Sequence, residues 1–170
     1  TEPIYAPNFF DLSGNEIAGG VGFPFNGDAQ LTGSLIISQS TTGNNPHIQL
    51  FPILNEEFQF QGRLGNELST EDGYKAMELC ALNVLAQVEQ KIGFDNVLGL
   101  NHIDAYFQSG TDWDDSPMVV NGASDLFVKV LEDKGQHSRA IFGVEKLPRN
   151  FSVGLTTSFT LIKQLGTPPV

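Results

Sequence analysis

From Ser69 onward the repeat of apolar residues changes from every second position to every third or fourth, and the two periods then alternate along the rest of the chain. A chain patterned in this way must pack strands and helices into a common core. Tyr74, Met77, Ala81, Val84, Leu85, Val88 and Ile92 recur at helical spacing, with Glu78, Gln87 and Lys91 between them. Ser69 or Thr70 supplies an N-cap, Glu71 and Asp72 suit the positive end of the helix dipole, and Gly93 supplies a left-handed stop. A second helix opens at Ser116-Pro117, where proline loses nothing by lacking an amide hydrogen. It turns Val120, Ala123, Phe127, Val130 and Leu131 to one side and ends at Gly135.

Strands fill the remainder. The run 34–39 and the run 47–53 flank the turn-forming TTGNNP and predict a hairpin, and Phe58-Gln59-Phe60-Gln61 alternates as a third, half-buried strand would. The stretch 97–108 is long and mixed, with Val97, Ile103, Ala105 and Phe107 in one phase and Leu98, Leu100 and Tyr106 in the other, which predicts a central strand partly covered on both faces. Residues 139–144 read as a strand and Leu147-Pro148-Arg149-Asn150 as a turn, and Val153, Leu155, Thr157, Phe159 and Leu161 alternate with small residues. The order β-β-β-α-β-α-β-β predicts an α+β fold: a mixed sheet with both helices packed on one face. Its other face needs a cover, and a second copy of the chain supplies one economically. Residues 1–32 show neither period and read as an irregular arm, 33–165 as the domain, and 166–170 as a frayed tail.

Charge narrows the partners. With 20 acidic against 9 basic side chains the formal charge is −11, a field that repels phosphate backbones and anionic lipid, so neither nucleic acid nor a membrane is expected as a partner. The lone Cys80 rules out an internal disulfide and, lying mid-helix without a basic neighbour, reads as a core residue rather than a nucleophile. His47, His102 and His137 are too far apart for a helical zinc site and read as isolated surface or cleft side chains. TDWDD, with Asp112, Asp114 and Asp115, lacks the glycine and distal glutamate of a calcium loop, and Gly19-Gly20-Val21-Gly22 lacks the lysine of a phosphate cradle. Ser124 in NGASDL does not fit a nucleophile elbow. No metal and no cofactor is implied. The chain starts at Thr1, as a processed or trimmed chain would, and its compartment stays open between the cytoplasm, slightly favoured, and export.

Arg139 is the residue with the most chemistry in it. It is one of three arginines and heads an apolar strand, where a permanent guanidinium needs either a carboxylate neighbour or a solvated cleft that binds a ligand.

The two segments GRLGNELSTEDGYKAMELCALNVLAQVEQKIG and WDDSPMVVNGASDLFVKVLEDKGQHSRAIFGVEKLP resemble the Rid family (YjgF-type reactive-intermediate deaminases, chorismate-mutase-like in fold and also described as endoribonuclease L-PSP-like). The resemblance runs from about Gly33 to Ile162, is densest over Arg139–Pro148, and leaves an insertion around 42–56. It implies a homotrimeric barrel with clefts between subunits. In such a cleft an arginine at the position of Arg139 holds the carboxylate of a 2-imino or 2-enamino acid while water hydrolyses the carbon-nitrogen double bond. Asn121, Ser38 and Ile141 match substrate-binding cleft positions. The glutamate that orients the attacking water in active members aligns with Gly154. The resemblance therefore leaves two functions, a deaminase and a non-catalytic trimer that binds a small carboxylate metabolite. Ribonuclease activity, given the acidic surface and no paired acid and base, ranks last.

Overall fold

Both helices form where the sequence places them. In this computed structural model, which describes residues 36–38 and 47–162, helix α1 (Thr70–Lys91) is closed at its start by a capping box. The Ser69 hydroxyl accepts from the Asp72 amide at 3.1 Å, and the Asp72 carboxylate accepts from the Ser69 amide at 2.9 Å. The helix stops at Gly93, whose φ of 83° is in the left-handed region. Helix α2 (Ser116–Leu131) carries Pro117 in its first turn and runs into a short 3-10 helix ending at Gly135.

The main sheet has five strands in the order β1 (Ile36–Ser38), β2 (His47–Leu50), β7 (Val153–Leu161), β5 (Val97–Phe107), β6 (Ser138–Gly143). All neighbours are antiparallel except β5 and β6, the parallel pair that α2 connects. In β7 the alternation holds: Leu155, Thr157 and Phe159 are buried under the helices while Thr156, Ser158 and Thr160 face the other way, half exposed. The two phases of β5 have a different cause from the one expected. Register shifts between Val97 and Gly99 and between Leu100 and His102 turn the strand, so Val97, Leu100, Ile103 and Ala105 all reach the helix side and are buried. Asn101, His102, Asp104 and Tyr106 occupy the opposite face, exposed or half-buried, so that face is partly covered.

The third strand is corrected. Asn55 and Glu56, at φ 51° and 65°, fold the chain back into a minute hairpin of β3 (Ile53–Leu54) and β4 (Glu57–Phe58), apart from the main sheet. Phe60, at φ 52°, and Gly62, at φ 129°, then break the extended run, and Gln61 makes only a single bridge to Phe151. This segment docks through Asn83 of α1, which donates to the carbonyls of Phe51 (3.2 Å) and Ile53 (2.8 Å). Gln87, read as polar-side, is buried on that same flank of α1, four residues beyond Asn83. Buried Gln108, just past β5, fastens the turn before β7. Its side chain donates to Gly62 O (3.0 Å) and Asn150 Oδ1 (2.9 Å) and accepts from the Leu147 amide (2.9 Å). The readings of 1–32 as an arm and 166–170 as a tail lie outside the described residues.

Between the helices, glycine sets the distance. A Cβ on Gly122 would stand 2.1 Å from the Tyr74 carbonyl oxygen of α1, and one on Gly73 would stand 2.7 Å from Val119 Cγ2. The backbone of α2 thus rests against α1, with Met77, Ala81, Val84, Val120, Ala123 and Phe127 closing the core above Ile103, Leu155 and Phe159.

Gly122→Ala should therefore lower unfolding stability by about 1–3 kcal/mol, because rigid backbone must move to admit the methyl group. Gly99→Ala, where a Cβ meets its nearest neighbour at an ordinary 3.6 Å, should stay within about 0.5 kcal/mol. Urea titration of the two variants tests the contrast.

Candidate functional site

Among the described residues β6 is an edge strand of the main sheet, and Arg139 pairs with Ile103 of β5. Paired residues share a face, so Arg139 rises on the helix side, where the flank of α2 meets it. Asn121 and Ser124, three residues apart on that flank, both accept from Arg139 Nη1, at 2.9 and 3.2 Å. No carboxylate among the described residues lies within 4.0 Å of the guanidinium. Of the two settings that residue chemistry leaves open for Arg139, the described residues provide the solvated one, with neutral oxygens steadying one nitrogen. Nη2 and Nε have no hydrogen-bond partner among the described residues. Arg63 is committed differently, donating to the Ser109 carbonyl at 3.0 Å and to the Glu145 carbonyl.

Ile141 lies two residues along the same face, half-buried against the core, and gives the site an apolar side. Ser38 is not brought there. It ends β1, at the far edge of the sheet with β2, β7 and β5 between it and β6, roughly 19 Å at about 4.8 Å per strand. Gly154 is separated in another way: it pairs with Tyr106, on the face opposite Arg139. A Cβ there would stand 2.9 Å from the ring of Phe51, which stacks on Phe151 with centroids 5.1 Å apart. Aromatic carbon of the segment between β2 and β3 thus occupies the space into which a side chain at 154 would project.

Two residues that the sequence reading set aside belong to the site. His137 is half-buried. Its Nδ1 lies 2.5 Å from the Gly135 carbonyl, which only accepts, so Nδ1 bears the proton and Nε2 is left as an acceptor. Ser124 Oγ, 3.0 Å from Nε2, donates to it while accepting from Arg139. The edge of the ring packs on Phe127. Burial holds the imidazole below its ordinary range, the Gly135 hydrogen bond opposes this, and the charge of Arg139 reinforces it. The signal was present in spacing: Ser124 follows Asn121 by three residues on a helix, and His137 precedes Arg139 by two on an extended segment. On the opposite face His102 is likewise not isolated, bridging Asp104 (2.9 Å) and Ser138 (2.7 Å).

Cys80 is fully buried and its thiol is pushed far up by burial, as suits a core residue. In TDWDD, Asp115 accepts from the Thr70 hydroxyl at 2.9 Å and Trp113 Nε1 donates to it at 3.0 Å, which pins this turn to the start of α1. Among the described residues no cluster of three or more His, Cys, Asp or Glu could hold a metal ion, and no helix is long and apolar enough to cross a membrane.

Compared with known families, residues 29–161 match the one described as "YjgF/chorismate mutase-like, putative endoribonuclease". The chain is similar to Protein TCP17 of Trypanosoma cruzi, 35% identical over 89 residues that make up 51% of this chain and 56% of that protein. It thus spans little more than half the length of this curated relative. Among solved structures it is similar to Atu1372 of Agrobacterium tumefaciens, of unknown function, with TM-score 0.70, 28% identity, and coverage of 74% of this chain and 80% of that one. A "putative endoribonuclease" from Shewanella oneidensis MR-1 is similar to it with TM-score 0.69, 27% identity, and coverage of 72% and 82%.

The His137 environment has a pH signature. Its folded value lies below the ordinary imidazole value of about 6.5, so its contribution to stability is complete above that value and is lost as pH falls through the folded one. An NMR titration should give His137 a midpoint below 6.5. The urea midpoint should fall on acidification through this range, and His137→Asn should remove part of that fall.

Proposed function

The chain belongs to the YjgF/chorismate-mutase-like family, and from that membership we propose that it is a deaminase of 2-imino or 2-enamino acids, with Arg139 as the carboxylate anchor. The observation that carries this reading is the state of Arg139: Nη1 is steadied by the neutral oxygens of Asn121 and Ser124, and Nη2 and Nε have no described partner. A planar fork fixed at one nitrogen and open at the others is preorganised for a carboxylate, and it presents the adjacent imine carbon to water. Water adds to that carbon, the nitrogen leaves as ammonia, and a 2-oxo acid remains. Ile141 supports the substrate's apolar side. The site is completed between subunits of a homotrimer, where Ser38 of a neighbouring copy joins it. This part of the reading rests on the second face of the sheet, half exposed at Thr156, Ser158 and Thr160 among the described residues, and on the position of Ser38 at the opposite edge from Arg139.

A second reading, a non-catalytic trimer that binds a small carboxylate metabolite, is favoured by Gly154 and the Phe51 ring against it, which leave no carboxylate at that position. The ribonuclease named in the family description is the reading this chain supports least, given its charge of −11.

An amino-acid oxidase that generates 2-iminobutyrate in the presence of the protein separates these readings. A deaminase accelerates imine decay, and Arg139→Ala raises the apparent KM by about 10- to 100-fold, the loss of one or two charge-assisted hydrogen bonds. Thermal stabilisation by 2-oxobutyrate without turnover supports the binding protein instead, and cleavage of RNA would reinstate the third reading. Light scattering should give a mass three times the 18.5 kDa chain. A mass of one chain removes the intersubunit cleft.

A further inference from the structure

We infer that Ser124 and His137 form the proton relay of this site, performing the water activation for which position 154 offers no carboxylate. The inference rests on the deaminase reading and adds a base to it.

Hydrogen-bond polarity carries the argument. The Gly135 carbonyl fixes the proton of His137 on Nδ1, so the Nε2 lone pair faces Ser124 and takes its hydroxyl proton in a hydrogen bond of 3.0 Å. The Ser124 oxygen is then left with two lone pairs. One accepts from Arg139 Nη1 at 3.2 Å, and the other is open to a water. This is the arrangement an activated hydroxyl needs: a base within reach, a third group orienting the base, and a fixed positive charge beside the oxygen on which negative charge develops. Ser124 and His137 are both half-buried, so the relay touches solvent, and its serine contacts the same guanidinium that holds the substrate. Burial, the charge of Arg139 from β6 and, from the other face of the sheet, His102 of β5 favour the neutral imidazole, and the Gly135 carbonyl from the turn opposes them. Ser124 and the Phe127 ring, both from α2, complete its surroundings.

The step balances. The water oxygen bonds to the carbon of the protonated imine, the π pair moves to nitrogen, and the water proton passes to Ser124 Oγ as the serine proton passes to His137 Nε2. The relay run backwards returns that proton to the amino nitrogen. The carbon-nitrogen bond breaks as the carbon-oxygen double bond forms, ammonia departs, and the hydroxyl proton leaves to water.

The test uses Ser124→Ala, Ser124→Thr and His137→Asn, with imine hydrolysis followed across pH and 2-oxobutyrate binding followed by calorimetry. Ser124→Ala and His137→Asn should each lower kcat by about 10²- to 10⁴-fold, the contribution of a positioned base, while the 2-oxobutyrate dissociation constant stays unchanged in His137→Asn and rises by no more than about 10-fold in Ser124→Ala, which loses one of the two oxygens that steady Arg139. Ser124→Thr, which keeps the hydroxyl, should recover activity. The wild-type rate should fall on acidification with a midpoint below 6.5, and His137→Asn should abolish that limb. Wild-type kcat and the same acid limb in folded His137→Asn and Ser124→Ala would overturn the relay and leave the deaminase standing. A wild-type protein that binds 2-oxobutyrate without turnover would overturn the relay and favour the binding protein, and one that does neither would overturn the whole site.

Discussion

The two helices meet backbone on backbone: the Cα of Gly122 lies under the Tyr74 carbonyl with no room for a methyl group between. That contact fixes the rotation of α2 about its own axis, and the site depends on that rotation. With Gly122 turned to α1, helical geometry sends Val120, Ala123 and Phe127 down into the core and puts Asn121 and Ser124 on the flank away from α1, above β6. Asp125, on the outer surface, closes the rotation by accepting from the Tyr74 hydroxyl at 2.9 Å; burial, and then this hydrogen bond, push that phenol up to about 12. The polar neighbours of Arg139 are thus set in place by a packing contact on the far side of their helix.

The sheet makes the complementary contribution through parity. Arg139 and Ile141 share a face with Ile103 and Ala105, while Gly154 shares the other with Tyr106. A carboxylate at 154 would therefore point away from Arg139 of its own chain. Strand order separates Ser38 in the same way, at the opposite edge. What a single chain does bring together is Arg139, Asn121, Ser124 and His137, from one edge strand, the turn before it and one helix.

Features governed by local rules were legible in the sequence. The N-cap, read as Ser69 or Thr70 and found at Ser69, the stop at Gly93, Pro117 in the first turn of α2 and the alternation along β7 are each decided within a few residues. Features decided by long-range contacts were not. The polar and apolar alternation at 58–61 suggested a strand, but the left-handed turn at Asn55 and Glu56 had already reversed the chain. The mixed pattern of β5 put Leu100 in the other phase from Val97 and Ile103, whereas all three are buried together, because bulges, which shift the phase, leave no sequence mark of their own. Arg139 was legible as an anomaly, a permanent charge heading an apolar strand, yet its neutral partners sit on a helix 15 and 18 residues earlier. Ser124 and His137 were passed over because each was judged against its own sequence neighbours, whereas their chemistry is in the pairing.

The Phe51 ring against Gly154 makes the two positions epistatic. Introducing a glutamate at 154 by itself would drive its β-carbon into an aromatic ring, and trimming Phe51 by itself would open a void beside Phe151, Ile53 and Leu147. Both single steps lead downhill in stability, so position 154 admits a carboxylate without that loss only when Phe51 changes with it. The polar groups that this chain does gather lie beside Arg139, on the other face of the sheet.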